Sequence, residues 1–250
     1  FLIIQLNLMG ALYALVTNQS IIFFVTLAFV IKSNWFKLEY FKQGIDGETL
    51  SKLGKYSLMA ITTALTVPVS HLIIRNHIGE NLGWDSAGYW QGIWYISSMY
   101  LMIVTTSLGV YYLPKLSEIQ DNSELKKEIF NGYKIIMPIV IVMSILIFLL
   151  KEYIILVAFS DKFMPMMDLF AWQLIGDVIK IASWLLAYLM LAKAMTKIFI
   201  YTEIGFSALF VLLSIYFIDT FGLIGITYAF SLNYFLYLIV MIFIFRKRFL

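Results

Sequence analysis

Seven apolar runs follow one another along this 250-residue chain, at roughly 8–31, 56–75, 88–113, 135–158, 168–192, 198–218 and 222–245. At about 1.5 Å per residue, each is long enough as a helix to cross a hydrocarbon core of about 30 Å. Backbone amides find no water in that core, and a helix satisfies its own, so helices are the form such runs take. Composition agrees: 62% of the residues are hydrophobic and 13% charged, about half the charged share of an average soluble domain. The expected fold is all-α integral membrane, with about seven transmembrane helices. The polar stretches between the runs, longest at 32–55 and 115–134, leave no room for a soluble domain.

Basic residues orient the runs. Lys32, Lys37, Lys42, Lys52, Lys55, Lys115, Lys126, Lys127, Lys134, Lys193, Lys197, Arg246, Lys247 and Arg248 share one set of loops and ends. Arg75, Lys151 and Lys162 fall on the other set, and Lys180 lies inside a run. This bias places the first set, and the C-terminus, in the cytoplasm. Residue 1 then lies outside. With no initiator methionine and no basic leader ahead of the first run, an upstream part is expected, FLIIQLN being the tail of a preceding span. An internal repeat points the same way. Residues 8–14 (LMGALYA) return as 223–229 (LIGITYA), with Asn18 matching Asn233 and Lys32 matching Lys247. If those two spans are equivalent, 1–32 closes one six-helix lobe, 33–55 is a cytoplasmic linker and 56–250 is a complete second lobe. An even number of spans per lobe gives both the same orientation, about an axis along the membrane normal.

Several function classes lack their residues. The chain has no cysteine, and two histidines, His71 and His77, are too few for a histidine-rich metal site. There is no GxSxG, P-loop, HExxH or DxD motif. A non-enzyme is expected, with no metal, no cofactor and no nucleic-acid partner.

The polar residues inside the runs are where function is sought. Asp177 and Lys180 sit in the long apolar stretch 166–194, where each ionisable group costs about 2.5–3.5 kcal/mol on insertion scales. At 100° per residue, Gln173, Gly176, Asp177, Lys180, Trp184 and Ala187 share one face, and Leu174, Val178, Ala182, Leu185 and Leu186 lie on the other side. The i, i+3 spacing allows a structural ion pair that pins packing; the same residues also suit a substrate or ion-coupling site. In the second run Thr62, Thr63, Thr66 and Ser70 share a face, and Pro68 frees the carbonyl of Ala64 and should kink the helix. Arg75, at the end of that run, either snorkels to the interface or points inward as a contact for a phosphate. Asp85 is placed to cap the third helix, and Gly88 and Gly92 form a step for close helix approach. Trp84, Tyr89, Trp90 and Trp94 read as an interfacial belt or as stacking faces for sugar rings, with Gln91 as a hydrogen-bonding neighbour. Glu203 lies about one turn inside the sixth run, at interfacial depth. The acidic and basic residues of 117–128 suit a solvated helix or loop.

The segments 57–75 (SLMAITTALTVPVSHLIIR), 84–117 (from WDSAGYWQG to YYLPKLS) and 161–180 (DKFMPMMDLFAWQLIGDVIK) resemble the Wzx-type flippases of the multidrug/oligosaccharidyl-lipid/polysaccharide exporter superfamily. The resemblance covers essentially the whole chain. It implies the last helix of one six-helix lobe and all of the second lobe of a twelve-helix, MATE-like transporter, working by alternating access around a central cavity. The implied substrate is an undecaprenyl-diphosphate-linked oligosaccharide, of enterobacterial common antigen or an O-antigen unit, moved across the bacterial inner membrane. The implied partners are that substrate, membrane lipids, and polymerase and chain-length proteins of the same pathway. Arg75 and Lys180 are the cations it offers to the diphosphate, with Asp177, Gln173, Trp90 and Gln91 as further cavity candidates. Two rivals stand beside it: a MATE-like cation or drug antiporter with Asp177 as ion site, and a membrane polysaccharide polymerase. The short outer loops count against the second, and the lysine beside Asp177 against the first.

Overall fold

A computed structural model describes residues 2–33, 36 and 46–249, with side chains from Met9 to Arg246. Outside the described residues lie most of the expected linker (34–35 and 37–45, including Lys37 and Lys42) and the side chains of FLIIQLN, Leu8, Lys247 and Arg248. The chain divides into two compact units, Phe1–Ser51 and Lys52–Leu250. The first contains helix α1 (Leu2–Lys32).

The second unit is built of helices joined by short turns, with no strand among its described residues. Helix α2 (Gly47–Leu82) leads into it, followed by α3 (Trp84–Ser107), a π-helical turn (Leu108–Tyr112) and α4 (Leu113–Glu118). Next come α5 (Asn122–Leu149), α6 (Lys151–Ala158), a 3₁₀ segment (Asp161–Leu169), α7 (Phe170–Ala192), α8 (Thr196–Phe221) and α9 (Gly225–Phe249). Among the described residues, six helical stretches are long and apolar enough to cross a membrane. The last, Thr196–Arg246, has 51 residues, about twice what one crossing needs. It breaks at Gly222, where φ of 68° ends α8 and the backbone turns into α9. The result is a multi-pass, all-α membrane protein with seven long apolar helices among its described residues.

Several ends differ from the expectation. Helix α2 runs on two turns past Arg75 to Leu82, and it begins at Gly47, inside the stretch 33–55. Gly83, with φ of 87°, turns the chain directly into α3, and Trp84 folds back so closely that a Cβ on Gly79 would meet its ring at 2.8 Å. Asp85 therefore sits in the first turn of α3 without capping it; Gly83 occupies the cap. Gly88 has nothing near its would-be Cβ, whereas Gly92 faces Met166 and Phe159 of the segment between α6 and α7. The small-residue step thus reduces to Gly92. The fourth run also ends early. Helix α5 starts at Asn122, so it has spanned its length by Leu149, and residues 151–158 form a separate short helix opened by the charged pair Lys151 and Glu152.

Helix α7 occupies the centre, packed against α9, α5 and α3. The two-sided reading of this helix gives way to burial nearly all round: Leu174, Ala182, Leu185 and Leu186 are buried as well as Gln173, Gly176, Asp177 and Ala187. A Cβ on Gly176 would run into the Phe230 ring of α9, so glycine sets how closely these two helices approach. Tyr112 donates to the carbonyl of Leu185 at 3.2 Å and Tyr133 to that of Ala182, tying the α3–α5 side to α7. At one end Lys193 donates to the carbonyl of Ile119. At the other, His77 of α2 and Asp219 of α8 meet at 2.8 Å, with Asn81 Nδ2 3.2 Å from the opposite ring nitrogen.

Candidate functional site

A cavity of about 430 Å³ opens in the second unit among α2, α3, α7, α8 and α9. Its α2 wall comes from the stripe Thr63, Ala64, Val67, Pro68, Ser70 and His71, which recur at helical spacing. Proline lacks an N–H, so the Ala64 carbonyl facing this wall has no intrahelical donor. The α8 wall is a second stripe: Glu203, Phe206, Ser207 and Phe210.

Lys180 projects from α7 into this space, ten residues after Phe170 and twelve before Ala192. That is about 15–18 Å from either helix end, near mid-depth. Its ammonium lies over four rings, at 4.8 Å from Trp184, 5.2 Å from Trp94, 5.7 Å from Tyr234 and 6.0 Å from Phe230. Cation–π attraction of this kind grows where water is excluded. It supports a charge while leaving it no carboxylate partner: among the described residues Lys180 makes no ion pair within 4 Å.

Asp177, one turn earlier, does something else. It is wholly buried and does not line the cavity. Its carboxylate accepts from Tyr100 of α3 at 2.9 Å and from Gln173 of its own helix at 3.4 Å, and Tyr100 also meets Ser144 of α5 at 3.3 Å. Ser97 lies against the same carboxylate but has no partner at hydrogen-bonding distance. The group therefore joins three helices, as a buried charge held by donors must. The i, i+3 spacing brings the two charges near each other without a direct ion pair; one is spent on packing, the other faces the cavity.

The remaining candidates cluster on α2 and α3. Arg75 is half-buried and donates through Nη2 to Gln91, while its Nε has no partner. Trp90 is buried and stacks on His71 at 5.2 Å, and Trp94 meets the same imidazole edge-on at 4.2 Å. The aromatic cluster thus divides: Trp84 is 63% exposed, Trp90 belongs to the core and Trp94 lines the cavity. Two residues that the sequence reading did not place in a cavity, His71 and the Glu203 expected at interfacial depth, line this one. His71 is flanked by both Lys180 and Arg75, and Glu203 faces Thr63 across the cavity. Both lie on stripes legible as i, i+3, i+4, i+7 patterns once the wet face of each helix is sought. Of the repeat-related asparagines, Asn18 is exposed, whereas Asn233 is buried on the cavity wall with its Oδ1 unpartnered. No cluster of metal ligands occurs among the described residues.

The cavity thus presents a ring-caged cation, Lys180, on one wall and the Glu203 carboxyl on another. A family profile described as "Polysaccharide biosynthesis protein" matches residues 2–168. The chain belongs to this family. Within it, the chain is 33% identical over 228 residues to a protein of Escherichia coli (strain K12) named "Lipid III flippase", and equally so to the protein of that name from Shigella flexneri. The alignment covers 91% of this chain and 55% of each relative. The chain spans about half the length of the curated relatives it matches. No solved structure is significantly similar to it.

Proposed function

We propose that this chain serves in a flippase that carries an undecaprenyl-diphosphate-linked oligosaccharide across the bacterial inner membrane by alternating access. The observation that carries the proposal is Lys180, a cation without a carboxylate partner, held at mid-depth by aromatic rings in a cavity of polar and apolar walls. A diphosphate entering hydrocarbon faces a prohibitive desolvation cost. A fixed ammonium at mid-depth lowers it, rings and hydroxyls receive the sugars, and the prenyl tail remains in lipid. Arg75, with Gln91 holding it near Trp90 and His71, is the second cation on the same path. Asp177 and Gln173 hold the helix that presents Lys180. In this reading 1–32 ends one lobe, 33–55 links the lobes and 56–250 forms the second. The lysine-rich ends and the C-terminus face the cytoplasm, no bond-making chemistry occurs, and polymerase and chain-length proteins of the pathway act on the delivered product. The relatives named as lipid III flippases support this substrate class.

Complementation tests it. The gene is expressed in a strain lacking its lipid III flippase, beside Lys180→Ala, Arg75→Ala and Asp177→Asn at matched membrane levels. Rescue by the unmutated gene with at least tenfold less translocation by Lys180→Ala is expected. Accumulation of lipid-linked oligosaccharide on the inner leaflet despite normal expression sinks the flippase reading. Equal activity of Lys180→Ala sinks the site assignment alone.

A further inference from the structure

A second concavity of about 400 Å³ lies between α3 and α5, with no residue in common with the Lys180 cavity. It sits at the lysine-rich end and changes character along its length. Tyr111, Glu128 and Asn131 line one end, Ser107 the middle, and Ile103 and Ile139 the other end. From Glu128 to Ile139 is eleven residues of continuous helix, about 16 Å, which matches one leaflet's half of a core about 30 Å thick. The floor is firm. The π-helical turn Leu108–Tyr112 brings Tyr112 inward, where it is buried and bonded to α7, and a Cβ on Gly132 would meet its ring at 3.0 Å.

We propose that this groove holds one glycerophospholipid whose head carries a hydrogen-bond-donating ammonium, of the ethanolamine kind. The gradient from polar to apolar over one leaflet's depth fits a lipid's head and chain; sugar or peptide would leave the isoleucine end unmatched. The head is selected by Glu128, a half-buried carboxylate with no hydrogen bond or ion pair among the described residues. Lys127 and Lys134 beside it on α5 are exposed and absent from the lining. An ammonium bearing hydrogens can bond that carboxylate, whereas a quaternary ammonium cannot and an anionic head is repelled. Asn131 and Tyr111 stand beside it as donors for the lipid phosphate. The proposal is independent of what the Lys180 cavity carries.

Native mass spectrometry of the full chain in detergent tests it, with phosphatidylethanolamine, phosphatidylcholine and phosphatidylglycerol of identical chains. Retention of a single phosphatidylethanolamine at a concentration at least tenfold below the other two is expected. Glu128→Gln should weaken it at least fivefold and Ser107→Trp, which fills the groove, should abolish it, while Glu118→Gln leaves it unchanged. Equal retention of phosphatidylethanolamine and phosphatidylcholine, preference for phosphatidylglycerol, no retained lipid, or full retention by Glu128→Gln each overturns the proposal. If Ser107→Trp fails to fold, Glu128→Gln at the groove's polar end still decides.

Discussion

Two charged residues three positions apart on one helix have different tasks, and their tasks predict different phenotypes. Asp177 is a buried acceptor for Tyr100 and Gln173. Tyr100→Phe removes one donor from a buried carboxylate and should cost about 1–3 kcal/mol, read as a lower melting temperature in detergent. A melting temperature equal to that of the unmutated chain contradicts the packing role. A second carboxylate gives a pH signature outside the membrane. Asp121 caps α5, accepting from the Ser123 hydroxyl and from the backbone N–H groups of Glu124 and Ser123. These bonds hold its carboxyl below the ordinary value. The folded-state value is depressed, so the cap's contribution is fully present above the unfolded value of about 3.9 and fades as pH falls through the folded one. Amide exchange at 122–125 should therefore quicken, relative to the intrinsic rate, only below about pH 4; in Asp121→Ala it should show no such step. The need for Asp177 and Lys180 to face protein or a cavity was legible in their apolar surroundings. Which of the two would be caged by rings was not, because the partners Tyr100, Trp94 and Phe230 lie far away in sequence.

Helix ends show the same division. Gly83 and Gly222 adopt φ of 87° and 68° and end their helices where the residue type announces it. Helix α7 ends without such a sign. Ala194 takes φ of 49°, and the Met195 N–H reaches back to the Met190 carbonyl at 2.8 Å, the closure usually made with glycine. Ala194→Gly should accordingly stabilise the protein, by up to about 1 kcal/mol, visible as a higher melting temperature; a lower one contradicts the strain. At the α7–α9 contact the opposite sign applies. Gly176→Ala must displace Phe230, with a cost of about 1–3 kcal/mol for overpacking, measured in the same melts. Where glycine is not the signal, both boundaries drift: α2 runs from Gly47 to Leu82 rather than from 56 to 75. The charged first turns of α5 concealed its true beginning at Asn122, so the apolar count ran too far, into α6.

At the scale of the molecule, the long apolar helices of the described residues and the all-α class were legible, because hydrocarbon leaves the backbone one solution. The cavity was only half legible: sequence marks wet faces one helix at a time, whereas a cavity is where several of them meet. The chain's lack of cysteine makes the proposed orientation directly testable. In intact cells Ser160→Cys should react with a membrane-impermeant maleimide, and Ser123→Cys should react only after permeabilisation. The reverse pattern inverts the orientation.

The cavity around Lys180 has one more consequence. Its ammonium stands on the α7 wall and the Glu203 carboxyl on the α8 wall, and no ion pair joins them among the described residues. With both ionised, opposite charges that face one space without touching leave a dipole across it. A cargo with an anionic end and a hydroxyl-rich end aligns with that dipole, acid toward α7 and donors toward α8. Under the proposed function, such a compartment would read the direction of its contents as well as their charge, and would turn each molecule the same way before any helix moved.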